Sequence, residues 1–125
     1  MIINDIKIYK YIGVGIGGDL YILGSMVNGS LNGVSIRSTA PGITPGLYEE
    51  CWSTHADYKL VTDPVEIDMT NFKYAHGILF FRYNNQIQFV NLKYKTISIV
   101  DQVRTPIDSF NKIKDINKPI IIRNL

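Results

Sequence analysis

Gly77-Ile78-Leu79-Phe80-Phe81-Arg82-Tyr83, then Asn84-Asn85, then Gln86-Ile87-Gln88-Phe89-Val90-Asn91-Leu92: this stretch decides the fold. Two apolar-rich runs flank a pair of asparagines, a residue that tolerates the left-handed backbone, so they read as a β-hairpin with a two-residue turn. Period-2 alternation puts Ile87 and Phe89 on one face and Gln86 and Gln88 on the other. Thr96-Ile97-Ser98-Ile99-Val100 adds a third strand, giving a meander over 77–103.

Working outward toward the N-terminus, Val65-Glu66-Ile67-Asp68-Met69 alternates in the same way. Its Glu66 and Asp68 fall on one solvated face, a pattern of a strand rather than of a catalytic carboxylate pair. Residues 6–12, 19–23 and 34–37 are three further strand-like runs. The Asn- and Gly-rich stretch 28–33 separates the last two, and its Asn28-Gly29-Ser30 sequon reads as a turn. Between 38 and 48 lie two Pro-Gly pairs. Proline presets the first corner of a type II turn and glycine takes the positive φ that follows, so this is a long surface loop, of the kind that carries function or an interface.

Toward the C-terminus, Thr105-Pro106-Ile107-Asp108 is a helix start: a capping hydroxyl, a proline at the first helical position and an acid at the positive end. Ile107, Phe110, Ile113 and Ile116 supply one apolar stripe, so a helix is expected over about 106–116. The tail Pro119-Ile120-Ile121-Ile122-Arg123 is expected to be a short strand or an apolar peg for a neighbour. The expected fold class is mainly β: a compact single-domain antiparallel sheet, barrel or sandwich with one short C-terminal α-helix.

With 125 residues, 46% of them hydrophobic and fourteen aromatic, the chain has enough apolar surface for one self-sufficient core and is not disordered. No apolar run approaches the ~20 residues of a membrane helix. The first ten residues lack the continuous apolar segment of a signal peptide, and a single cysteine forbids an internal disulfide, so a cytoplasmic setting is expected. Twenty isoleucines and ten asparagines against three alanines fit an AT-rich coding sequence. Size, strand content and this bias suit a virus- or phage-encoded accessory protein, a group that includes small oligomeric proteins that sequester nucleotide signals; no motif in the chain is specific to them.

The net charge of +2 conceals a division. Residues 1–71 hold four basic and eight acidic side chains, a net −4; residues 72–125 hold nine basic and three acidic, a net +6. The basic half also contains most of the aromatics. Cations interleaved with rings are the chemistry of a phosphate-bearing ligand, and the same polarity suits self-association, acidic region to basic region. A pI near 8.6 falls short of the strongly basic footprint of duplex-DNA binders.

Tests for catalytic motifs give little. Gly13, Gly15 and Gly18 satisfy G-x-G-x-x-G, yet the segment that follows is strand-like rather than helical, and the next strand offers Arg37 instead of an acid. Neither the dinucleotide nor the kinase type of glycine loop is met, and a strand turn or bulge is expected. Cys51, Trp52, His55, Asp57 and the more distant His76 do not have zinc-ligand spacing, and Cys51 is expected to be a small buried hydrophobe. No metal or cofactor is expected.

The expected function is therefore a non-enzymatic binding module, homo-oligomeric, that takes a small anionic, nucleotide-like ligand. Arg82, Arg104 and Lys93 would hold the anion, Tyr83, Phe81 or Trp52 would stack, and Asn91 would hydrogen-bond. The alternatives are a structural, assembly or inhibitor protein acting through a protein interface that includes 119–122, and a small hydrolase using His55 or His76.

Overall fold

The computed structural model describes residues 2–52, 57–99, 107–114 and 118–125. Half of the chain is strand, and the described residues form three antiparallel sheets with one short helix and no closed barrel. Sheet A is built from β2 (Lys7–Tyr11), β3 (Leu20–Val27), β4 (Ser30–Ser38), β5 (Tyr48–Glu49) and β6 (Tyr58–Leu60), in the order β5-β4-β3-β2-β6. Sheet B is built from β1 (Ile2–Ile3), β8 (Phe72–Ala75), β9 (Ile78–Tyr83), β10 (Gln86–Asn91) and β11 (Thr96–Ser98), in the order β1-β11-β10-β9-β8. A separate pair joins β7 (Val65–Ile67) to β12 (Ile120–Ile122).

The expected hairpin over 77–92 is present as β9 paired with β10. Asn84 and Asn85 both have positive φ, 49° and 58°, the geometry of a type I′ turn that matches the twist of the flanking strands. Asn28 and Gly29 do the same between β3 and β4, at 51° and 77°. That turn is shorter than the sequence suggested: Ser30–Gly33 belong to β4, so composition marked a loop where the register makes strand.

One core lies between the two sheets. Leu23, Val34, Ile36 and Tyr48 of sheet A meet Leu79, Phe81, Val90 and Ile97 of sheet B, with Val65 and Ile67 of β7 joining them. Burying so much aliphatic and aromatic area, at roughly 25 cal/mol per Å², is the main force holding the two sheets face to face. Sheet A keeps a second apolar cluster on its outer side: Leu20, Ile22, Leu31 and Tyr58, flanked by Tyr9, Tyr11 and Trp52. On sheet B the helix α1 (Ile107–Lys112) packs against β9 and β10, burying Phe110 to 4% exposure.

Coverage on both sides changes the reading of β10. Ile87 and Phe89 do share a face, but it lies under the helix side, away from the inter-sheet core. Gln88, on the alternate face with Val90, is 1% exposed and donates from Nε2 to Gln86 Oε1. The alternation holds along β10, and its glutamine-bearing face turns inward because the strand is covered on both sides.

The tail is an intrachain strand rather than a peg. Ile120 and Ile122 pack on the shared core and Asn124 is fully engaged: its amide donates to Ile8 O and Val61 O at 2.9 and 2.8 Å, and its Oδ1 accepts from Ile8 N at 2.8 Å. The helix spans 107–112 and is shorter than the expected 106–116, since Ile113 and Lys114 are described and not helical; positions 106 and 115–116, like the meander's end at 100–103, lie outside the described residues. No helix among the described residues is long and apolar enough to cross a membrane.

Candidate functional site

The long loop between β4 and β5 carries the two turns its sequence dictates: Gly42 and Gly46 take φ of 81° and 90° after Pro41 and Pro45. Ser35, buried on β4, holds the loop down. Its hydroxyl donates to Thr44 O at 2.7 Å and accepts from Leu47 N at 3.1 Å, while Gly46 N donates to Ser35 O at 2.7 Å. Asn71 reaches the loop from the other side, donating from Nδ2 to Pro45 O at 2.7 Å. A β-carbon on Gly46 would stand 2.9 Å from the Asn71 Cβ, so glycine serves both the turn and the close approach.

This pinned loop roofs a cleft of about 230 Å³. Thr44, Pro45, Gly46 and Leu47 form its roof. Thr70 and Asn71 come from the 3₁₀ turn Met69–Asn71, which Asp68 caps by accepting from Thr70 N; Arg82 comes from β9 and Phe110 from α1. Arg82 is exposed and oriented: its Nη2 donates to Asn111 Oδ1 at 3.0 Å, and its guanidinium lies 4.4 Å from the Phe110 ring centroid. Lys73 approaches the same ring at 5.7 Å. No carboxylate lines the cleft among the described residues. A guanidinium presents five donors and only part of that capacity is used on Asn111, so the cleft offers donors and positive charge to an anion.

The other expected site residues are dispersed. Phe81 is 0% exposed in the inter-sheet core and has no face to offer a ligand, a correction that follows from its position on the inward side of β9. Tyr83 is half-buried, edge-on to Tyr48 at 5.0 Å. Trp52 lies on the outer cluster of sheet A, its Nε1 donating to Gly33 O at 3.2 Å. Asn91 Oδ1 is spent on a turn, accepting from Lys93 N and Tyr94 N at 3.0 and 3.1 Å. Asn91 pairs with Ile78, four residues along β9 from Arg82. At the strand rise of 3.3 Å per residue that is roughly 13 Å, and Lys93 lies past that end. Arg82 and Lys93 therefore cannot hold one small ligand. Arg104 and His55 lie outside the described residues.

Further expectations resolve as follows. Gly13–Gly18 is an exposed loop of bends leading directly into β3, with no helix after it, so it is a strand connection. Cys51 is exposed, not buried. His76 is exposed at the β8–β9 turn with φ of 54°. The contributions of Asn71, Thr44 and Phe110 to the cleft were missed: only the length of the Pro-Gly loop pointed toward it. Comparisons with protein-family models, curated proteins and solved structures gave no match.

Proposed function

We propose that the protein is a non-enzymatic binding module that holds a small anionic ligand in the cleft beneath the Pro-Gly loop. One observation carries this: Arg82, fixed by Asn111 and Phe110, borders a cleft with no carboxylate among its described lining residues, and the roof of that cleft is tied down by Ser35 and Asn71. The cleft's size suits an anion or the phosphate end of a nucleotide-like molecule rather than a whole drug-sized ligand. Preorganisation favours binding because the loop need not be ordered when the ligand arrives. A homo-oligomer in the cytoplasm, of the virus- or phage-encoded accessory type, is the setting that the composition and the opposed charge of the two halves support.

Calorimetry of the purified protein against inorganic phosphate and a panel of nucleotides tests this. The wild type should bind at least one with measurable heat, and Arg82→Ala should weaken it by about tenfold or more, as expected for a lost charge-assisted hydrogen bond. Absence of heat across the panel, or an affinity indifferent to Arg82→Ala, would sink it. Native mass spectrometry of the same sample counts the subunits, and a monomer at micromolar concentration removes the oligomer from the reading.

A further inference from the structure

At the opposite end of sheet B a second cleft, of about 270 Å³, collects three ammonium groups. Lys93 and Lys95 lie on the turn between β10 and β11, and Lys7 opens β2 of the other sheet. The two sheets are tied together at this point by Ile6 N, which donates to Lys95 O at 3.1 Å. The turn is built rigidly: Asn91 Oδ1 caps Lys93 N and Tyr94 N, and Lys95 has a left-handed φ of 51°. Lys95 Nζ donates to Arg123 O at 2.7 Å, which aims its ammonium and leaves further protons to donate.

Asp5 is the only carboxylate side chain among the described lining residues, and none of the three lysines forms an ion pair among the described residues. Burial, together with the charge of Lys7, pulls the Lys95 ammonium below its ordinary value, and three lysines share a cleft with one carboxylate side chain, Asp5. Beside them stands Tyr94, 67% exposed, with the Lys93 ammonium 5.3 Å from its ring centroid. An exposed ring next to neighbouring cations is the pairing that holds a phosphate together with a planar group.

We propose that this cleft is a second binding site, for a phosphate-bearing ligand with its phosphates on Lys7, Lys93 and Lys95 and a planar group on Tyr94. It is independent of the loop cleft, so the two can fail separately. The test is titration with inorganic pyrophosphate and with a nucleoside diphosphate at near-physiological salt, followed by calorimetry and by amide chemical shifts. Both probes should bind saturably and shift the amides of Lys7, Lys93, Tyr94 and Lys95, the nucleoside diphosphate by roughly fivefold more tightly.

Combining Lys7→Gln with Lys93→Gln, both exposed positions, should weaken both probes about tenfold or more at an unchanged urea midpoint. Tyr94→Ala should abolish only the advantage of the nucleoside diphosphate, and Arg82→Ala should leave the affinities here unchanged. The proposal is overturned by non-saturating shifts, by full affinity in the double lysine variant, by equal affinity for the two probes, or by shifts that disappear with Arg82→Ala.

Discussion

On the outer side of sheet A, Leu20, Ile22 and Leu31 lie among Tyr9, Tyr11 and Trp52; on the outer side of sheet B, Phe110 is wedged between Lys73 and Arg82 beneath a short helix. The inner faces of the two sheets are alike, mainly aliphatic and aromatic, with Gln88 of sheet B a polar exception. Their outer faces are not. Residues 72–99, which make up all of sheet B except β1, contain four cations and no acid. Residues 7–60, which span sheet A, balance four cations with four acids, so the surplus of positive charge lies with sheet B and the segments after it. Function is read from what each sheet does with the face it does not need for the core.

The sharpest way to break sheet A is at its glycine pair. Gly24 and Gly33 are register partners, and a β-carbon on Gly33 would stand 2.6 Å from Gly24 Cα and closer still to the Leu23 carbonyl oxygen. Gly33→Val should cost about 4 kcal/mol in urea unfolding, because backbone rather than a flexible side chain must move. A loss under 1 kcal/mol would mean that the close approach is not maintained.

Sheet B should respond less in stability and more in binding. Phe110→Ala removes a buried ring, at a cost of about 3 kcal/mol, and deprives Arg82 of one of its two supports. Anion affinity in the loop cleft should fall in parallel. If stability drops while affinity holds, Arg82 is positioned by Asn111 alone and the helix is only a cover.

The smallest effect concerns a group between the sheets. Tyr48 is 3% exposed, and its hydroxyl has no hydrogen-bond partner among the described residues. Burial, with smaller contributions from Glu50 and Tyr83, pushes its pKa up to about 12 from an ordinary 10. The folded state therefore holds this proton more tightly than the unfolded state. The stabilisation is fully present below pH 10 and is lost as pH rises toward 12. Tyr48→Phe should flatten that part of the stability profile and change stability at pH 7 by less than about 1 kcal/mol, since an unpartnered hydroxyl is no asset in a core. An unchanged alkaline slope would place the effect on another residue.

Much of sheet B was legible because its signals are local. Asn84-Asn85 fixes a turn, alternation fixes the strands beside it, and the Pro-Gly pairs fix the loop that later proves to roof a cleft. The site was legible only in part. Arg82 carries a charge in an apolar run and stands out, whereas Thr44, Asn71 and Phe110 look ordinary until the fold brings them beside it. Phe81 and Lys93 were misgrouped with Arg82 for one reason: nearness in sequence says nothing about which face or which end of a strand a side chain occupies.

By itself the sequence determined the strand class, the turn chemistry and the unequal charge of the two halves. These depend on φ preferences and periods spanning a few residues. Only the tertiary structure decided that β1 pairs with β11, that the tail closes on β7 and Ile8, and that Gln88 faces inward. Those outcomes depend on contacts between residues far apart in the chain, whose energy no local pattern records. The tertiary structure also sent Arg82 and Lys93 of the basic half to two separate clefts, and brought Lys7 of the other half beside Lys93.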